Sequence, residues 1–106
     1  FVKDVARANV AALCHGDYEV FNVSCNIPTA VNELLVKIGK ILQMEIKPFY
    51  GAKREGAIMH SRLNNSKIIS MLFWKPEHEL DKGLRQTIAY EYAKIPKLDK
   101  KASVMQ

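Results

Sequence analysis

Much that would fix a function at sight is missing from this chain of 106 residues. No apolar run approaches the ~18 residues that a membrane-crossing helix needs, so neither a membrane span nor a membrane partner is expected. The two cysteines, Cys14 and Cys25, form no CxxC pair, and His15 and His60 are too scattered to complete a zinc set with them. Both thiols are therefore expected to be reduced, in or near the core of a cytoplasmic protein. Lysine and arginine are not interleaved with aromatic residues along one face, as a nucleic-acid groove would require. The net charge of +5 comes mostly from the last stretch, where Lys94, Lys97, Lys100 and Lys101 face the lone carboxylate Asp99. A run of this kind is expected to be a solvated tail, and no nucleic-acid partner is expected. No internal repeat is visible.

What is present is an ordinary globular composition, 48% hydrophobic and 25% charged, long enough for one domain or part of one. There is no initiator Met, and Phe1-Val2-Lys3-Asp4-Val5 reads as the end of a strand running into a helix, so the chain is expected to begin inside a larger polypeptide. Val5 to Leu13 is Ala-rich with apolar residues at helical spacing. Asp4 is placed to cap it and Gly16 to stop it in a left-handed turn. Tyr18 to Val23 is aromatic and β-branched and reads as a buried parallel strand, with Val20, Phe21 and Val23 putting apolar groups on both faces. After a short loop, Thr29 is expected to cap a helix whose Val31, Leu34, Leu35, Ile38, Ile41 and Leu42 form one apolar stripe. Glu45 to Pro48 reads as a short edge strand. Phe49 to Ser61 is irregular and carries the basic pair Lys53-Arg54. Helices are expected over Ser66 to Leu72 and Glu79 to Ala93, and Gly83 inside the latter marks a close approach by a neighbour. Strand–helix alternation of this kind predicts an α/β fold with a few short parallel strands and flanking helices. Residues 1–93 would form the folded portion and 94–106 a basic tail.

Four strings narrow this pattern. Phe1-Val2-Lys3-Asp4-Val5-Ala6-Arg7-Ala8 looks like a strand-to-helix string found late in extended short-chain dehydrogenase/reductases. Tyr18-Glu19-Val20-Phe21-Asn22-Val23, followed by Pro28-Thr29-Ala30-Val31-Asn32-Glu33-Leu34-Leu35, resembles the strand-loop-helix that comes next. Arg54-Glu55-Gly56 with His60-Ser61 is similar to that family's nucleotide-sugar binding loop. Ser66-Lys67, Leu72, Trp74-Lys75-Pro76 and Gly83-Leu84-Arg85-Gln86-Thr87-Ile88 match its closing helices. Jointly the strings resemble the C-terminal part of an NAD-dependent nucleotide-sugar epimerase/dehydratase, most like the UDP-glucose 4-epimerase subfamily.

The resemblance implies a Rossmann-type enzyme in which bound NAD takes a hydride from carbon 4 of a sugar and returns it to the other face. It also implies that the NAD loop and the catalytic Tyr-x-x-x-Lys lie in a portion this chain does not hold. The chain has no GxxGxxG, so no cofactor is expected to be bound by this chain alone. Its own Tyr90 and Lys94 satisfy Tyr-x-x-x-Lys only in the terminal helix, far from the family's position, and no catalytic residue is assigned. Arg54 stands where the family places an arginine against the UDP diphosphate, a bidentate pairing suited to a guanidinium. Ala57 stands where the family usually has an aspartate for the ribose, so a UDP-sugar is expected to bind weakly if at all. Ser24-Cys25-Asn26 replaces a Gly-rich turn, and Phe73 replaces a helix-ending glycine. Asn tolerates a left-handed backbone; Phe is strained by it.

Two functions follow. The first is the substrate-binding part of a nucleotide-sugar 4-epimerase, inactive alone and completed by a missing N-terminal Rossmann portion. The second is a non-catalytic interaction module derived from an epimerase remnant, self-associating as a homodimer through a sheet edge left bare.

Overall fold

The computed structural model describes residues 1–95. Of the basic tail expected over 94–106, Lys94 closes the last helix and Ile95 follows it; the rest lies outside the described residues. Four helices follow one another: α1 (Val2–Ala12), α2 (Val31–Leu42), α3 (Ser66–Leu72) and α4 (Leu80–Lys94).

Among the described residues there is no strand, which overturns the α/β expectation. The two segments read as strands, 18–23 and 45–48, run as irregular chain; apart from a local turn in which the Glu19 N–H donates to the Gly16 carbonyl, no backbone hydrogen bond among the described residues joins either one to another segment. The physical reason is that β-rich composition reports how well side chains suit a pleated, half-buried surface. A ladder also needs a neighbouring backbone, and neither segment supplies one to the other.

The helix ends shift as well. α1 begins at Val2 with Phe1 as its N-cap residue, so Asp4 lies inside the first turn and turns inward instead of capping. Thr29 does not cap α2 either. The cap residue is Ala30, whose N–H donates to Glu33 Oε2 at 3.0 Å, satisfying one orphan donor from the third helical position. α3 has the expected bounds, and α4 starts one residue later than expected.

Two helix pairs carry the packing, α1 on α3 and α2 on α4. The buried core is small: Ala8 from α1, Ile68 and Leu72 from α3, and Trp74 just beyond, with Ala11, Phe21 and Val23 packed against them. The stripe on α2 is half-buried along Leu34, Leu35, Ile38, Ile41 and Leu42, while Val31 at its start stays exposed. Gly83 does mark a close approach: a Cβ there would stand 3.2 Å from Cδ2 of Phe1. Gly16 adopts the left-handed turn expected of it, at φ 79°. Cys14 and Cys25 are both exposed, against the expectation of core placement. The core draws on one face of α1 and one side of 21–23, and neither cysteine lies on it.

The packing is open. The radius of gyration is 17.8 Å, against about 13 Å for a compact domain of this length. The chain exposes 9317 Å², where a compact folded protein of its mass exposes about 6,000 Å². Large apolar side chains account for part of this excess, including Val20, Phe49, Ile58 and Phe73.

Both residues that stand in place of glycine are left-handed, Asn26 at φ 54° and Phe73 at φ 52°. Phe73 ends α3 with its side chain 91% exposed, so its ring contributes little packing to set against the backbone strain. Replacing it with glycine, Phe73→Gly, is expected to stabilise the fold by about 1 kcal/mol, because the strain relieved exceeds the extra entropy of the unfolded chain. Urea unfolding followed by the fluorescence of buried Trp74 measures this. An unchanged or lower midpoint would count against the strain argument.

Candidate functional site

Arg54 lies in the irregular segment between α2 and α3. Its carbonyl accepts the N–H of Ala57 at 3.1 Å, closing a turn in which Gly56 takes φ 74°. A positive φ at that third position is what a type II turn requires, and glycine adopts it without strain. The turn leaves Lys53, Arg54, Glu55 and Ala57 exposed, with the Arg54 guanidinium free of any hydrogen bond or ion pair among the described residues. An exposed, uncommitted guanidinium can clamp a phosphate, and Lys53 precedes it in the same exposed turn.

His60, with Met59, Ser61 and Arg62, lines a cleft of about 740 Å³ against the start of α2, where Pro28 to Val31 and Glu33 form the other wall. The end of the loop is tied down: Ser24 Oγ donates to the Leu63 carbonyl at 2.7 Å, and Asn65 Nδ2 donates to the Ser24 carbonyl at 2.8 Å. These bonds fix the end of the loop next to α3, while the Arg54 turn itself is closed only by the Ala57–Arg54 bond. Tyr90 and Lys94, the incidental Tyr-x-x-x-Lys, form a surface pair. Lys94 Nζ sits 4.1 Å from the Tyr90 ring centre and 3.1 Å from Glu91 Oε1, so the amine is engaged by its own helix.

The most organised polar group in the molecule is one that the sequence reading missed. Asp4 is 2% exposed. Its Oδ1 accepts from Arg7 Nη2 at 2.9 Å and from His78 Nδ1 at 2.8 Å, and its Oδ2 accepts from the His78 backbone N–H at 3.1 Å. A carboxylate only accepts, so His78 carries its proton on Nδ1. Trp74 Nε1 donates to the Asp4 carbonyl at 2.9 Å. Arg7 reaches on to the Lys75 carbonyl at 2.8 Å and to Glu77 Oε1 at 3.1 Å. Phe1 lies beside the His78 ring, centres 4.8 Å apart. The group links α1 to the turn between α3 and α4. A local capping role is what the sequence around Asp4 predicts, whereas its partner His78 is 74 residues away and no spacing rule connects the two.

Burial by itself raises the Asp4 carboxyl. The hydrogen bonds from the His78 ring, from Arg7 and from the backbone N–H groups of His78 and Glu77 outweigh it and hold the carboxyl well below the usual carboxylate range.

No family model matches the chain. A protein of Methanocaldococcus jannaschii, provisionally named a UDP-glucose 4-epimerase, is 34% identical over 88 residues, 83% of this chain and 28% of that protein. The UDP-glucose 4-epimerase of Mycolicibacterium smegmatis is 31% identical over 91 residues, 85% of this chain and 29% of that protein. The crystal structure of a UDP-glucose 4-epimerase with UDP-glucose from Thermotoga maritima superposes with a TM-score of 0.83 at 36% identity, covering 87% of this chain and 30% of that one. The chain is thus a relative of the nucleotide-sugar epimerases, as the sequence resemblance implied. These three are UDP-glucose 4-epimerases by name, a UDP-glucuronate 4-epimerase of Thermodesulfobacterium geofontis also matches at 23% identity, and the chain spans about 30% of their length.

The Asp4 carboxyl titrates well below about 3.9, the ordinary value it regains on unfolding. A lowered folded value means that the stabilisation is fully present above the unfolded value and is lost as pH falls below it toward the folded one. Stability is therefore expected to drop with acid below about pH 4, and Asp4→Asn is expected to flatten that limb while lowering stability at pH 7. Urea midpoints across pH 2–7 for both proteins provide the check; parallel curves would contradict it.

Proposed function

We propose that this chain is the substrate-side part of a nucleotide-sugar 4-epimerase and that Arg54 is its contact to the diphosphate. The observation that carries the reading is the TM-score of 0.83 at 36% identity over 87% of this chain to a UDP-glucose 4-epimerase structure holding UDP-glucose. The exposed, uncommitted guanidinium of Arg54 supports the residue assignment, since a bidentate phosphate clamp needs both of its donor edges unspent.

The chain's residues do not fit NAD. A dinucleotide pyrophosphate is seated where a Gly-rich turn enters a helix N-terminus, because only there can the backbone approach it closely. α2 follows Pro28-Thr29-Ala30, α3 follows Asn64-Asn65 and α4 follows His78-Glu79, and none of these three entries contains glycine. On this reading the hydride chemistry belongs to a complementary portion of the enzyme, and this chain binds and orients the nucleotide end of the substrate. It does not turn over substrate alone. With Ala57 in place of a carboxylate, a ribose hydroxyl has no acceptor at that point of the loop, so affinity for UDP is low.

The 106-residue chain titrated with UDP is expected to show millimolar binding, with amide shifts confined to the Arg54 turn. Arg54→Ala abolishes those shifts, and Ala57→Asp tightens binding severalfold. Equal binding by the wild type and Arg54→Ala would remove Arg54 as the diphosphate contact. Saturable NAD binding, or turnover of UDP-glucose by the chain alone, would overturn the division of labour.

A further inference from the structure

Two stretches of chain far apart in sequence meet at Ser24, where both the hydroxyl and the carbonyl are spent. The Ser24 Oγ–H donates to the Leu63 carbonyl at 2.7 Å, and the same oxygen accepts the Asn26 N–H at 3.2 Å. The Ser24 carbonyl accepts from Asn65 Nδ2 at 2.8 Å. Asn65 is 6% exposed, so its amide is taken out of water to make this bond. Losing the bond would leave that desolvation uncompensated. Next to it, Asn64 Oδ1 accepts the Ser66 N–H at 2.8 Å, which fixes the chain from 64 into α3.

These bonds sit at the root of the 740 Å³ cleft. One wall of the cleft runs from Pro28 to Val31 with Glu33, and the other from Met59 to Arg62. Ser24 lies four residues before Pro28, and Leu63 directly follows Arg62. A four-residue leash spans at most about 14 Å. It is shaped as well as short: the Asn26 N–H bond to Ser24 Oγ closes a local turn with Asn26 at φ 54°, and the ring of Pro28 fixes its own φ. Among the described residues no hydrogen bond or ion pair crosses from one wall to the other. The link also joins the two helix pairs, since 24–30 lead into α2, packed on α4, and 63–65 lead into α3, packed on α1. Its donors and acceptors all belong to the described residues, so it does not depend on what else adjoins the chain.

We propose that Ser24 and Asn65 form a clasp that sets the spacing of the cleft walls, and that both are positioning residues for the nucleotide-binding segment that ends in the wall from Met59 to Arg62. The inference rests on the reading of that segment as the nucleotide contact and adds the device that holds its end. A ligand that meets an already ordered wall loses less in ordering it. Ser24→Ala keeps the carbonyl but removes both hydroxyl bonds, whereas Ser24→Thr keeps the hydroxyl.

The test is backbone NMR relaxation of the 106-residue chain, with UDP titrated into each protein. In the wild type, Met59 to Arg62 are expected to be rigid, with order parameters near about 0.85. Ser24→Ala is expected to lower them below about 0.6 while α1 and α3 keep theirs. It is also expected to weaken UDP binding about fivefold, the worth of one net hydrogen bond, although Arg54 is untouched. Ser24→Thr is expected to restore both. A mobile Met59 to Arg62 in the wild type overturns the proposal, and that result needs no variant to fold. So does a wall that stays rigid in Ser24→Ala, or a UDP affinity that does not change when the wall loosens. If the wild type does not bind UDP, the nucleotide reading fails, and the relaxation data by themselves still decide for or against the clasp.

Discussion

The buried carboxylate of Asp4 is the constraint on which the rest of this structure depends. A charge taken out of water is costly unless every lone pair is answered, and here Arg7, the His78 ring and the His78 backbone N–H all answer it. Those partners come from both ends of the chain. The same residue's carbonyl receives the Trp74 indole, so one position in the first turn of α1 fixes the exit of α3 and the approach to α4. The hydrophobic core around it is only Ala8, Ile68, Leu72 and Trp74 with a few half-buried neighbours. In so small a core a polar hub whose carboxylate is fully engaged, with Arg7 Nε left without a partner, sets the geometry that apolar packing alone leaves loose.

The helices were legible because their signals are local. The stripe on α2 and the bounds of α3 follow from spacing and from flanking residues, and the close approach at Gly83 follows from a glycine where a helix disfavours one. The family was legible for the same reason, through four short strings in order. What failed was non-local. Tyr18 to Val23 has strand composition, but strand formation depends on a neighbouring backbone that composition cannot report. Asp4 looked like a cap because the rule for caps sees the next three residues and not His78, far along the chain. Cys14 and Cys25 belong to a residue type that is often buried, but both lie exposed, since burial follows from tertiary placement that residue type does not report. Arg54 was singled out through the family resemblance; its turn, with Gly56 left-handed, follows from the glycine itself.

The open packing bears on function. A chain that exposes 9317 Å² leaves apolar side chains on several sides uncovered, and it spans about 30% of the epimerases it resembles. Its organised features are a hub that joins α1 to the turn before α4 and a loop tied to Ser24 at Leu63 and Asn65.

The measurement that bears most directly on this account is a double-mutant cycle between Asp4 and His78, using Asp4→Asn, His78→Ala and the pair, with stability read from urea unfolding at pH 7. If the hub joins the two ends of the chain, the substitutions are coupled by about 1–3 kcal/mol. Strict additivity, within about 0.5 kcal/mol, would mean that the Asp4–His78 contact does not hold the fold together.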